Sequence, residues 1–179
     1  MNIEDKDIIE AVRSRDRKGF QLLMQKYKQP VYWHIRRLVV SHDDAQDATQ
    51  EAFIRIFRSF GNFRDESSLR AWIFRIATNE ALRLIETRKQ GNVSLDANDD
   101  AASGITAESY VDYTDLEAVK LQKAILALPV KQQTTFNLRY YDELSYEEIA
   151  EATGSTASSA KVNFHIAKEK IIKYMNSND

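Results

Sequence analysis

The sequence of 179 residues contains no cysteine, only two prolines and only five glycines. The absence of cysteine excludes a disulfide framework and a thiolate metal site, and it fits a reducing compartment. No apolar run approaches the ~20 residues that a membrane-spanning helix requires. The N-terminus, from Met1 to Asp7, is acidic where a signal peptide would be basic. We therefore expect a soluble, cytoplasmic protein. The scarcity of glycine and proline, together with apolar residues at every third or fourth position, predicts an all-α fold.

The net charge of −2 conceals an uneven distribution along the chain. Residues 1–90 carry 17 basic against 13 acidic residues, residues 91–115 carry six acidic residues and no basic one, and residues 116–179 carry eight of each. The middle segment has little apolar periodicity, which indicates a linker. The sequence thus predicts two small helical domains, 1–90 and 116–179, joined by an acidic flexible linker, 91–115. That linker is either a solvated tether or an anionic strand that lies in a basic channel of a partner.

Capping residues and helix breakers divide the two domains into helices. The first domain is predicted to contain helices from Ile3 to Ser14, from Lys18 to Val40 and from Asp43 to Phe60, and a fourth helix that Ser67 caps and that ends at Lys89. Pro30 is a candidate kink in the second helix. The second is predicted to contain helices that start at the Thr114–Glu117 capping box, at Val130, after Ser145 and at Ala157. The last two flank Gly154, which can adopt a positive φ, and they predict a helix-turn-helix. An ordinary helical hairpin is the alternative.

The third predicted helix carries acidic residues first and basic residues later along one exposed stripe: Asp44, Asp47, Glu51, Arg55 and Arg58. Acidic residues near a helix start are stabilised by its dipole, and Glu51 with Arg55 would form a favourable i,i+4 pair. A solvated helix face is therefore the simplest interpretation. A docking patch for a basic protein partner is the sharper alternative.

An aromatic turn and a basic helix follow, and together they indicate nucleic-acid binding. The turn supplies Phe60, Asn62, Phe63, Arg64, Ser67 and Ser68; the helix is predicted to bury Leu69, Ile73, Ala77, Ala81 and Leu84 and to place Trp72, Arg75, Asn79 and Arg83 on the neighbouring stripe. Aromatic faces, guanidinium groups and amides can stack on a base, hold phosphates and read a base edge. The alternative is that Trp72 belongs to the core and the arginines are solvated. Either Phe60 or Phe63 could instead be a core anchor, and Phe60 is expected to be one.

Two stretches of this region, DAQDATQEAF at 44–53 and FRDESSLRAWIFRIATN at 63–79, resemble region 2 of the extracytoplasmic-function sigma factors of bacterial RNA polymerase. Residues 128–141 and 145–174 resemble region 4 of the same family. The resemblance implies a non-catalytic subunit, without a cofactor, that binds core RNA polymerase and directs promoter recognition, melting and transcription initiation. It also implies an anti-sigma factor as a partner, and neither a small-molecule substrate nor direct insertion into a membrane.

The resemblance further assigns three sets of residues to binding. The docking face would bind the polymerase clamp and comprises Asp44, Asp47, Gln50, Glu51 and Phe53. The minus-10 edge would read and help melt the minus-10 element and comprises Asn62, Phe63, Arg64, Ser67, Ser68, Trp72, Arg75 and Asn79. The recognition face would enter the major groove at the minus-35 element and comprises Ser158, Ser159, Lys161, Val162, Asn163, His165 and Ile166.

The recognition face departs from the family pattern, which usually has Ser, Arg and Arg where Val162, Asn163 and Ile166 stand. Because few charges face the groove, we expect weaker phosphate anchoring and a larger share of apolar contact, for instance with thymine methyl groups. The alternative is that this face contacts another protein or the first domain.

Two other classes of function fit the sequence less well than a sigma factor does. A helical enzyme is disfavoured because His34, His42 and His165 form no ligand spacing and the chain has no phosphate-binding glycine loop or nucleophile motif. A stand-alone helix-turn-helix regulator would have to bind duplex DNA by itself, and the near-neutral second domain offers few cations to neutralise phosphates. It would also leave the docking face and the minus-10 edge without a role.

Overall fold

The computed structural model describes residues 2–64, 68–92 and 114–177. Within these ranges the chain forms eight α-helices, a single 3₁₀ turn at Phe60–Asn62 and no strand, so the all-α prediction is confirmed. The helices are α1 Asp5–Arg13, α2 Arg17–Val39, α3 His42–Ser59, α4 Leu69–Asn92, α5 Leu116–Leu126, α6 Val130–Tyr140, α7 Tyr146–Thr153 and α8 Ala157–Met175. Most of the predicted linker, residues 93–113, and the predicted cap Ser67 lie outside the described residues.

Capping side chains set most helix ends where the sequence placed them. Ser41 caps α3, and Ser145 opens α7 with a complete capping box. Gly154 ends α7 with a φ of 68°, the left-handed conformation that glycine adopts without strain. The start of α5 differs by one residue from the prediction, because the carboxylate of Asp115, not Thr114, accepts the hydrogen bond that caps the helix.

Two helices of the first domain differ from the prediction. α2 begins and ends within one residue of its predicted bounds but continues through Pro30, with Tyr27 before the proline and the adjacent Val31 both buried in the core. α4 begins after Ser68, whose hydroxyl accepts a hydrogen bond from the Ala71 amide at 3.2 Å, and it continues into the predicted linker. Packing in the folded chain therefore outweighs the missing amide donor of Pro30 in α2 and the weak helical signal at the end of α4.

A single hydrophobic core joins helices from both predicted domains. The first four helices contribute residues such as Leu23, Ile35, Ile56 and Phe74, and the C-terminal half contributes Leu138, Leu144, Ile149, Ala152 and Ala160, all nearly inaccessible to solvent. A second, smaller core lies between α5, α6 and α8 and contains Ala124, Ile125, Leu128, Phe136, Ala167 and Ile171. α7, the first helix of the helix-turn-helix, packs directly against α4. The two halves are thus closed on each other.

Candidate partner-binding and nucleic-acid-binding surfaces

The docking face lies on α3 as predicted, but its members are not equally accessible. Asp47, Gln50 and Glu51 are exposed, whereas Asp44 is half-buried and forms an ion pair with Arg88 of α4. Phe53 is only 3% exposed. The accessible part of this face is therefore polar and acidic.

A groove of about 680 Å³ lies between α2 and α3 and runs along this face. Asp47 and Gln50 stand at the groove, and Phe53 and Phe57 form part of its apolar wall. Tyr32 closes one side through a hydrogen bond between its hydroxyl and the His42 ring. A concave apolar wall with acidic and amide groups beside it can receive a helix or a side-chain knob from a protein partner.

The predicted Glu51–Arg55 pair is wrong. Arg55 forms its ion pair with Glu80 of α4, which also lies 3.5 Å from the guanidinium of Arg83. Glu80 is 6% exposed, so two arginines offset the burial of one carboxylate. This arrangement ties α3 to α4 and thereby fixes the docking face relative to the minus-10 edge.

The aromatic residues of the minus-10 edge form a packed cluster. Phe63 is 4% exposed, and its ring centroid lies 5.8 Å from that of Phe60 and 5.4 Å from that of Trp72, which is half-buried. The expectation that Phe60 is a core anchor is confirmed, since it is 4% exposed. In this conformation the rings of Phe63 and Trp72 pack on one another instead of facing solvent.

The polar members of the minus-10 edge are the accessible ones. Asn62, Arg64, Arg75 and Asn79 are exposed, and Arg75 and Asn79 lie one turn apart on α4. Ser68 is half-buried, and Ser67 lies outside the described residues. The exposed amides and guanidinium groups provide hydrogen-bond donors for phosphates and base edges along one side of α4.

A contact that could not be predicted from the sequence supports the loop before α4. Arg13 of α1 donates a hydrogen bond to the carbonyl oxygen of Phe63 at 3.3 Å, and its guanidinium lies 5.9 Å from the centre of the Phe63 ring. Because the two residues are 50 positions apart, no local pattern links them. α1 therefore supports the loop from outside the stretch that resembles region 2.

A carboxylate from the C-terminal half reaches the start of α4. Glu148 of α7 accepts a hydrogen bond from the Ser68 hydroxyl at 2.8 Å and two from the Arg70 guanidinium, at 2.7 and 3.2 Å. Burial by itself would raise the pKa of Glu148, but the hydrogen bonds from Arg70, the Ser145 amide and Ser68 outweigh it and lower the pKa to about 2. The same ion pair raises the pKa of Arg70. Arg70 was absent from the predicted site.

A second polar contact between the halves is buried. Nδ1 of His34 lies 3.7 Å from a carboxyl oxygen of Asp142, and Nε2 is 2.8 Å from the Thr78 hydroxyl. Burial lowers the pKa of His34 to about 3. Burial raises the pKa of Asp142 to about 7, because it outweighs the opposite effect of the positive charges of Arg37 and Arg70. The imidazole is therefore neutral at pH 7, and the contact is not an ion pair.

The recognition face lies on the outer side of α8. Ser158, Lys161, Val162, His165 and Ile166 are exposed, whereas Ser159 and Asn163 are half-buried. Val162 is 56% and Ile166 36% exposed, although both side chains are apolar. The opposite side of α8 packs inward through Ala160, Ala167 and Ile171. The predicted helical phase of this helix is confirmed, and an apolar stripe remains in contact with solvent.

The described residues contain no helix that is long and apolar enough to cross a membrane. In the same ranges, no group of three or more His, Cys, Asp or Glu side chains is arranged to hold a metal ion. The three histidines occupy separate places: His34 lies in the core, His42 at the groove and His165 on α8.

Two family models match the chain in sequential order: Sigma-70 region 2 over residues 23–91 and Sigma-70 region 4 over residues 118–171. The sigma-H factor of Pseudomonas aeruginosa is 30% identical over 95% of this chain and 93% of its own length. The ECF sigma-E factor of Haemophilus influenzae is 31% identical over 94% of each chain, and the ECF sigma factor SigW of Bacillus subtilis is 30% identical over 98% of each.

Two solved structures share the fold over nearly the whole chain. The sigma factor RpoE from Bartonella quintana, in complex with the anti-sigma factor NepR, matches with a TM-score of 0.70 and 23% identity, covering 90% of this chain and 99% of that one. CnrH, in complex with the cytosolic domain of CnrY, matches with a TM-score of 0.75 and 16% identity, covering 98% and 99%. At these identities the likeness bears on the fold alone.

Proposed function

This chain belongs to the extracytoplasmic-function family of bacterial RNA polymerase sigma factors, and we propose that it binds core RNA polymerase and directs promoter recognition, melting and transcription initiation. One observation carries this role: region 2 and region 4 occur in one chain, in order, and the similarity to sigma factors extends over almost its full length. The role is that of a non-catalytic subunit, and it is exercised in the cytoplasm, where the polymerase transcribes.

The docking face and the groove beside it form the polymerase-binding surface in this proposal. The exposed Asp47, Gln50 and Glu51 contact basic or polar groups of the polymerase, and the apolar wall that includes Phe53 receives a side chain or helix of the partner. Acidic residues at the rim steer a basic partner and fix its register, whereas the apolar groove supplies most of the binding energy.

The minus-10 edge reads the melted promoter through its exposed polar groups, Asn62, Arg64, Arg75 and Asn79. Ser67 and Ser68 belong to the same set. In this proposal Phe63 and Trp72 form the aromatic platform beside which an unstacked base is held. The recognition face reads the minus-35 element, with Val162 and Ile166 against thymine methyl groups.

An inhibitory protein is a further expected partner. One of the solved structures that share this fold is a complex with an anti-sigma factor. We infer that such a protein binds this chain and blocks the polymerase-binding surface until it is removed. Copurification of a tightly bound inhibitor from the native host tests this inference.

The experiment that tests the proposed function measures binding of the chain to core RNA polymerase. We expect a stable complex on size-exclusion chromatography, and we expect the D47K/E51K double variant to bind more weakly because the charge of the rim is reversed. The matched control is E86K, which changes the charge of an exposed residue on α4, away from the groove. Failure of the wild-type chain to bind core polymerase would contradict the proposal.

A further inference from the structure

The contact between Glu148 and the start of α4 is the most completely satisfied polar link between the two halves of the chain. Both carboxylate oxygens are used, one by Arg70 and the Ser145 amide, the other by Ser68 and Arg70. The Glu148 side chain is only 17% exposed and that of Arg70 is 38% exposed. Charge-assisted, bidentate hydrogen bonds of this kind are among the strongest and most geometrically specific polar contacts in proteins.

The same donors suit a phosphate group. A planar guanidinium fork with a hydroxyl beside it matches the oxygens of a phosphate as well as those of a carboxylate. Ser68 also belongs to the minus-10 edge, and Arg70, two residues later, faces Glu148 of α7. A phosphate held by Ser68 and Arg70 together would therefore take the position that Glu148 now occupies.

Closure of the two halves is incompatible with binding to both promoter elements on one duplex. The minus-10 and minus-35 elements are named for positions about 25 base pairs apart, which corresponds to roughly 85 Å at a rise of 3.4 Å per base pair. In this structure the Ser68 hydroxyl lies 2.8 Å from Glu148, and α8 follows α7 within a few residues. Since α8 is 19 residues long, it spans only about 28 Å. The halves must separate before both elements can be bound.

We propose that Ser68 and Arg70 form a binding site for a backbone phosphate of promoter DNA, and that Glu148 occupies this site as a carboxylate competitor while the two halves are closed. The proposal rests on the sigma-factor role and adds a regulation of its minus-10 edge: DNA and Glu148 exclude each other, so DNA binding by region 2 and release of region 4 are coupled.

Besides the apolar core that the two halves share, their interface buries a polar group that lacks a hydrogen bond. A buried carboxyl oxygen of Asp142 lies 3.7 Å from the His34 ring and has no hydrogen-bond partner among the described residues. Unsatisfied buried groups of this kind weaken an interface, because each carries a desolvation cost that water would relieve on opening. Glu148 therefore adds a charge-assisted contact between two halves that already share an apolar core.

The test compares E148Q with E147Q in the full-length chain. Glutamine at position 148 keeps the capping box that Ser145 forms with its third helical residue, so E148Q removes the charge without removing the cap. Glu147 is exposed and adjacent, which makes E147Q the matched control. The probe is a fluorescein-labelled, mixed-sequence, single-stranded DNA of about 20 nucleotides, and the readout is fluorescence anisotropy at low salt.

We expect E148Q to bind this DNA about fivefold more tightly than the wild-type chain, the effect of releasing one partly exposed ion pair, and E147Q to leave the affinity nearly unchanged. Adding R70A to E148Q is expected to abolish the gain, because the guanidinium that would hold the phosphate is gone. Equal affinities of E148Q and E147Q, or a gain that survives R70A, would overturn the inference. Binding of the same proteins to core RNA polymerase distinguishes the two proposals. If the wild-type chain does not bind core polymerase, the sigma-factor role is contradicted, whereas the DNA affinities of the variants test the role of Glu148.

Discussion

Replacing Asp142 with asparagine is expected to stabilise the folded chain at neutral and alkaline pH. The carboxyl group is 8% exposed, one of its oxygens has no hydrogen-bond partner, and burial raises its pKa from 3.8 to about 7. A shift of this size corresponds to about 4 kcal/mol of desolvation cost once the group is ionised. D142N keeps the shape but cannot ionise, so we expect it to recover a large part of that cost at pH 8.

The sign of the pH dependence follows from the two buried groups. Between pH 4 and 7 the folded chain binds a proton on Asp142 that the unfolded chain has released, so this group lowers stability by about 1.4 kcal/mol per unit as pH rises. His34, whose pKa falls from 6.5 to about 3, has the opposite effect between pH 3 and 6.5. The two effects nearly cancel in the wild-type chain. D142N retains only that of His34, so its stability should rise with pH in this range.

Urea unfolding at pH 5, 6, 7 and 8 measures the difference. The free energy of unfolding of D142N should exceed that of the wild-type chain by an amount that grows with pH and levels off above pH 7. E143Q is the control, because Glu143 is adjacent and exposed. A D142N curve that runs parallel to those of the wild type and E143Q at all four pH values would refute the burial of Asp142 between the two halves.

Three further substitutions test other parts of the structure. G19A should destabilise the chain by about 1–3 kcal/mol, because a Cβ there would lie 2.6 Å from the backbone nitrogen of Val12, whereas G61A meets nothing within 4 Å and should change the urea midpoint little. S145A should cost about 1 kcal/mol in urea unfolding through loss of the capping box; no loss would mean that the cap does not hold α7. I166R should alter the preference of the reconstituted polymerase among minus-35 variants, and an unchanged preference would exclude a groove contact at this position.

Local sequence signals predicted the helices well, because their ends depend on nearby groups. The capping box at Ser145, the left-handed Gly154 and the phase of α8 are each set by residues within four or five positions of one another. The polar tips of the candidate surfaces, such as Asp47 and Arg75, were also placed on exposed faces by helical phase alone. Periodicity sufficed because each of these features belongs to one helix.

The contacts between the two halves were not predicted, because they join residues far apart in the sequence. α4 is buried on more sides than its predicted stripe: Phe74 and Thr78 are also nearly inaccessible, because both contact His34 of α2, and α7 packs on the same helix. Arg70 was not among the predicted site residues, because its partner Glu148 lies 78 positions away. The packing of Phe63 against Trp72 was not predicted either.

Transcript start mapping tests the sigma-factor role most directly. Purified core RNA polymerase is incubated with genomic DNA of the host, with and without the chain, and the 5′ ends of the transcripts are sequenced. We predict starts that appear only when the chain is present, each preceded by the same two sequence elements at the minus-10 and minus-35 positions. Starts that are no more frequent or specific than those of core polymerase alone would contradict the account.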